Sequence, residues 1–257
     1  EASAALRAAA AGNLTGDLLV GTLNSIGVRK DAAALQVLSQ RLGNSDPAVA
    51  SAAAVALGKL GNLAATSALK NALPRTAGAV QSAVAEGLIL AAESAHAAGK
   101  SAEAVALYDE VRKAAVPAQR KLEATRGAIL ARGDDGAALL VEQLQSPEQP
   151  IFRLGLTVAR EVKPGACDKA LVAELAKLPA GRAALVLRAL ADRRTPIWPV
   201  PRPRRSRTFP APRSMRRSRS GSRPRRASSS PCSSNSSASA ASTRFRRCWP
   251  PSNRRTP

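Results

Sequence analysis

Residues 31–62 read DAAALQVLSQRLGNSDPAVASAAAVALGKLGN, and this stretch decides the fold. Leu35, Leu38 and Leu42 recur at helical spacing after Asp31, a residue type suited to capping a helix start. Asn44-Ser45-Asp46-Pro47 then breaks the pattern. Proline fits the first turn of a new helix because its missing donor would have no partner there. Val49, Ala53, Ala56, Leu57 and Leu60 share one face of that second helix. Gly61-Asn62 ends it, since either residue takes a left-handed backbone at low cost. The stretch is therefore a pair of short helices, each with one apolar stripe, and neither is stable in isolation.

The same unit recurs on both sides. Turn signals that open an apolar-periodic helix fall at Gly16-Asp17, Asp46-Pro47, Gly78, Pro117, Pro150 and Gly181, with successive spacings of 31, 31, 39, 33 and 31 residues from Gly16. A near-constant period of this size marks a stacked repeat array. It predicts helices over 63–73 and 79–92, 137–144 and 151–162, and 170–178 and 182–191. Composition agrees: hydrophobic residues are 45% of the chain but aromatics only 2%, so the core must be Ala, Leu and Val. That mixture favours helices over a sandwich or barrel. The expected fold is all-α, a right-handed α-solenoid of antiparallel helix pairs, about five to six of them in residues 1–194. One unit is longer. Its Ala97, Gly99 and Ala104, then Tyr108 and Pro117, resemble a tetratricopeptide helix pair near residues 94–130, read as a variant repeat that alters the curvature of the stack.

Three segments carry a family resemblance: Asn44-Ser45-Asp46-Pro47-Ala48-Val49, Ala56-Leu57-Gly58-Lys59-Leu60-Gly61, and Leu122-Glu123-Ala124-Thr125-Arg126-Gly127-Ala128-Ile129-Leu130. Over about residues 15–193 the chain resembles the short-unit bacterial HEAT-repeat proteins, a set that includes the HEAT-like repeats of phycobilin lyases. The resemblance implies a noncatalytic protein-binding scaffold, here a fragment of a larger array, with a protein partner on the concave face and no cofactor. A lyase-type enzyme on the same fold is the further alternative. Fold alone does not fix function.

The last quarter differs in kind. All 18 acidic residues precede residue 195, together with 23 of the 39 basic ones, a net +5. The remaining 63 residues hold 16 Arg and no acid, so most of the +21 net charge lies there. Leu occurs 29 times up to residue 194 and never afterwards, while Arg, Ser and Pro dominate. Nothing in 195–257 can build a core, and the composition reads as a disordered tail. Two origins compete. One is a genuine basic arm that binds nucleic-acid phosphates. The other is a shifted reading frame. Joining the third base of each codon to the first two of the next, with free third bases G or C, lets Thr195-Pro196-Ile197-Trp198-Pro199 read D-P-D-L-A. The codons up to Pro257 likewise end P-A-V-L-A-A-L-E-P-A-D-P. Trp198 and Trp249 are the sharper tests, because tryptophan has one codon: each position can become Leu, and the proline after each must become Ala.

No catalytic, cofactor-binding or metal-binding residue is assigned. His96 is the single histidine, and a metal or catalytic histidine needs partners that its neighbourhood lacks. Asp134-Asp135 reads as helix capping. Asp109-Glu110 with Arg112-Lys113 reads as a solvated helix face. Cys167, Cys232 and Cys248 have no ligand or redox spacing, and Cys167 is expected to be a small packed residue. Arg120, Lys121, Arg126 and Arg132 do not form one helical stripe, but stacking could gather them into a nucleic-acid-binding face. No stretch approaches the ~20 apolar residues of a membrane span. A chain starting at Glu1 is read as a fragment or a mature form, and compartment is not assigned.

Overall fold

The computed structural model describes residues 1–193. Over that span the protein is an all-α solenoid: among the described residues there are twelve α-helices, three short 3-10 turns and no strand. In chain order the helices are α1 (Ala2–Ala11), α2 (Gly16–Val28), α3 (Leu35–Leu42), α4 (Pro47–Leu60), α5 (Leu63–Ala72), α6 (Gly78–Ala97), α7 (Ser101–Lys113), α8 (Ala118–Arg132), α9 (Ala137–Gln145), α10 (Gln149–Glu161), α11 (Ala166–Leu175) and α12 (Ala180–Ala191). Odd-numbered helices are the first and even-numbered ones the second members of six pairs. Each second helix packs on its own first helix and on the second helices before and after it. The reading of residues 195–257 as a disordered or frameshifted tail lies outside the described residues.

The turn chemistry works as the sequence suggests, with refinements. Asp46 Oδ1 accepts from Ala48 N at 2.9 Å and Pro47 opens α4. Gly61 ends α4 in the left-handed region, at φ 62°. Asn62 does something else: its Oδ1 accepts from Ala65 N at 2.8 Å and caps α5. Asp31 caps a 3-10 turn, Ala32–Ala34, that precedes α3. Second helices start at Gly16, Pro47, Gly78, Ala118, Gln149 and Ala180, intervals of 31 residues except for the 40 between Gly78 and Ala118. The turn signals misjudged two of these intervals because Pro117 precedes α8 whereas Pro150 lies inside α10. The long unit places its extra residues in α6, which runs to Ala97 instead of ending near Ala92, and in α7.

What stacks the second helices is smallness. A Cβ on Gly27 of α2 would lie 2.9 Å from Ala56 Cα of α4. One on Gly58 of α4 would lie 2.4 Å from Gly87 Cα of α6, and one on Gly87 would lie 2.6 Å from the Ala54 carbonyl oxygen. Backbones meet directly there, and the dispersion contacts of a close-packed interior replace side-chain volume. Around these contacts one apolar cluster runs from Ala10 to Ala131 and a second from Ile129 to Leu190, with the partly buried Leu139 packed against both. In the long unit the buried Tyr108 of α7 takes the equivalent place against Gly127 of α8, where a Cβ would lie 2.3 Å from the ring.

Two outcomes follow. Gly58→Ala overpacks a backbone contact and should cost roughly 1–3 kcal/mol. Gly21→Ala, exposed in the middle of α2 with open space around it, should instead stabilise by about 0.5–1 kcal/mol through helix propensity. Chemical denaturation midpoints of the two variants should move in opposite directions. The second outcome concerns the chain's single tyrosine. Burial, aided by Glu93 and opposed by Arg126, pushes the Tyr108 hydroxyl up to about 12. A folded value above the unfolded one means that this contribution is intact below pH 10 and is lost as pH rises towards 12. Tyrosinate absorbance should titrate near 12 in the folded protein, and a midpoint near 10 would show the ring to be solvated.

Candidate interaction surface

Register decides what each second helix shows to solvent. The fifth and ninth residues of these helices fall on the face turned away from both the paired helix and the stack. In α2, α4 and α6 they are Val20 and Asn24, Ser51 and Val55, Ser82 and Glu86. In α8, α10 and α12 they are Leu122 and Arg126, Arg153 and Thr157, Ala184 and Arg188. All are half-buried or exposed. The column is small and weakly polar at one end and carries exposed arginines at the other.

The arginines that sequence reading singled out are largely committed to carboxylates of adjacent units. Arg120 donates to Glu86 at 2.5 Å, to Glu123 at 2.7 Å and to Ser82 at 3.2 Å, tying α8 to α6. Arg126 reaches Glu161 at 2.7 Å, tying α8 to α10. Arg132 reaches Asp109 at 2.5 Å, and Arg112 reaches the same carboxylate at 2.8 Å, so Asp109 organises the α7–α8 pair rather than sitting on a solvated face. Lys121 is exposed. Structure thus distributes these cations along the stack and neutralises three of them.

Several cross-unit contacts had no local sequence signal. Arg41 donates to the Ala10 and Gly12 carbonyls at the end of α1, at 2.9 and 2.7 Å. Arg182 donates to the Ser146 and Pro147 carbonyls and lies 4.5 Å from the Phe152 ring centroid. Arg7 pairs with Asp31, Arg160 with Asp192 at 3.1 Å, and the buried Arg193 with Asp168. The usable signal was distance along the chain. Most partners lie close to one repeat apart, which no window of a single helix reveals.

His96 is exposed in the last turn of α6. It borders an open groove of about 670 Å³ where the ends of α6, α8 and α10 come together. Arg132, Asp134, Glu161 and Lys163 supply its polar walls, and Ile129 and Val162 its apolar ones. Cys167 is buried, its Sγ donating to the Gly133 carbonyl at 3.7 Å. Burial, then the nearby Asp134 carboxylate, raise its pKa, so the protonated thiol predominates at neutral pH, the less nucleophilic form. Cys232 and Cys248 lie outside the described residues. Among the described residues no group of three or more His, Cys, Asp or Glu is disposed to hold a metal ion, and no helix is long and apolar enough to cross a membrane.

Asp134 does cap a helix, but not its neighbour in sequence. Its Oδ1 accepts from Ala166 N at 3.1 Å, at the start of α11 in the next unit. Gly165 makes room for it, since a Cβ there would stand 2.6 Å from that oxygen. The turn after α8 is thereby fastened to the unit that follows. Asp134→Ala should cost about 1 kcal/mol and raise amide exchange at the start of α11. Asp135→Ala, one residue away and exposed, should change neither, and equal effects from the two would remove the cap from the account.

Residues 2–89 match the sequence profile of the family described as HEAT repeats. The matched stretch covers α1 to most of α6, including α1, which lies before the resemblance seen in the sequence. No curated protein matches the chain.

Proposed function

We propose that the protein is a noncatalytic interaction scaffold that binds a protein partner along the solvent face of its second helices. HEAT repeats commonly serve as protein-interaction scaffolds, and residues 2–89 are similar to them. The observation that carries the reading is the column from Val20 to Arg188, one pair of side chains per helix, continuous over six units. Side chains spaced along such a line cannot converge on one substrate atom, as catalysis requires. They suit a long, shallow contact in which energy is spread over many residues. The mixed character of the column fits a partner with small apolar side chains at one end and acidic groups opposite Arg153 and Arg188 at the other. In stacks of this type that face is the concave one.

Nucleic-acid binding is the competing reading, and the described residues favour it less. Arg120, Arg126 and Arg132 each face a carboxylate, which lowers the positive potential that phosphate binding draws on. What basic excess remains lies in residues 195–257.

Binding partners captured by the immobilised chain from an extract of its own source provide the test. Arg153→Glu and Arg188→Glu should each weaken capture of one protein species a few-fold, and the double variant should weaken it further. Capture that ignores both substitutions, is released by nuclease, and disappears on truncation at Arg194 would replace the scaffold reading with the nucleic-acid one.

A further inference from the structure

One position of the second helices is covered in every unit that has a successor. It is the eighth residue: Ala54 of α4 is the one whose carbonyl Gly87 of α6 packs against. Along the stack the eighth residues are Leu23, Ala54, Ala85, Thr125, Leu156 and Leu187. The first five are buried, Leu156 being the most accessible of them at 8%. Leu187 is 53% exposed, and Leu185 beside it is 45% exposed. The sixth residue, the position of Leu185, is buried in α4 and α6 as Ala52 and Ala83 and exposed in α2 as Gly21. On α11, Val172 is 51% exposed. The forward face of the last described pair is therefore apolar, built like the covered faces before it.

The other end of the stack also carries an uncovered face. In α4 and α6 the tenth residue packs against the preceding unit, and it is Ala56 and Gly87, both buried. In α2 it is Ser25, which is polar and exposed. Exposed end faces of repeat arrays need polar surfaces to stay soluble. Seven residues before Ser25 on the same face of α2, Leu18 is 72% exposed, so apolar surface lies uncovered at both ends of the described stack.

We propose that the forward face of α12, centred on Leu185 and Leu187, is the seat of a seventh helix pair of the same type, which the gene encodes in a frame offset from the one that yields residues 194–257. The offset frame supplies the right chemistry at the right place. Its D-P-D-L-A begins at the codon of Arg194, a few residues after α12 ends at Ala191. Each earlier second helix hands over to a first helix within a connector of that length. Beyond it, Arg codons become Ala or Pro codons and Trp249, like Trp198 within it, can become Leu, which moves the composition towards that of the stack.

Resequencing the gene across the codons of Ala189 to Pro199 is the first step, followed by expression of the frame-restored chain beside the 257-residue one. In the frame-restored chain Leu187→Glu should lower the melting temperature by about 5 °C or more. In the 257-residue chain the same substitution should leave it unchanged or raise it, while reducing aggregation. Leu187→Ser replaces the glutamate variant if the latter does not fold. The proposal is overturned by an unbroken gene whose offset frame is closed by stop codons, or by a Leu187 substitution that is neutral in both chains. A frame-restored chain that still self-associates through Leu187 overturns it too, and makes a second copy the occupant.

Discussion

Everything in this stack depends on backbone-to-backbone contact between second helices, seen at Gly27 against Ala56 and at Gly58 against Gly87. A contact with no side chain between the helices fixes their register, because sliding by one residue would drive a Cβ into a carbonyl. Register in turn fixes which residues look forward, which look back and which face solvent in every unit. The 31-residue period is the sequence counterpart of that geometric lock. It also makes the structure nearly one-dimensional, each pair being stabilised by its neighbours and by little else.

From α6 onward the lock changes character. The twelfth residue of the second helix, Gly27 and Gly58 in the first two, is Ile89 and Ile129 in the next two and Arg160 in the fifth. Larger residues fill the forward contact, and ion pairs tie the helix edges together, Arg120 with Glu86, Arg126 with Glu161 and Arg160 with Asp192. Such half-exposed pairs are worth little individually, so they contribute register and charge balance more than stability. The transition falls at the 40-residue unit, where Tyr108 supplies on Gly127 a contact that a second helix supplies elsewhere. Leu139 packs against both apolar clusters, and Ile129, which begins the second, also lines the groove beside His96.

Much of this was legible because helix starts and stops are local chemistry. Asp46-Pro47 and Gly61 could be read from a few residues, and the period then located most later helices. The misses have equally definite causes. ASAALRAAAA has no stripe beyond Leu6, so α1 gave no periodic signal, although it buries Ala10 and packs on α2. Asn62 seemed to close α4, yet a side chain that can accept from the third residue onward serves the next helix better. Asp134 offered a carboxylate at a turn, which identifies a cap but not the helix it caps. Its partner lies 32 residues away, and only the folded register brings the two together.

The same register decides where the charged side chains of the stack are used. A solenoid brings together residues one repeat apart, and here those neighbours are complementary: arginine meets carboxylate, or arginine meets the open carbonyls of a helix end, as Arg41 does at Ala10 and Gly12. Such meetings are satisfied by construction of the stack, so the groups involved are spoken for before any ligand arrives. Fifth and ninth positions not tied up in this way, Arg153 and Arg188 among them, stay open to solvent. Net charge is consequently a poor guide to what this protein binds. Of the 23 basic residues up to Arg194, Arg153 and Arg188 are among those that the register turns outward.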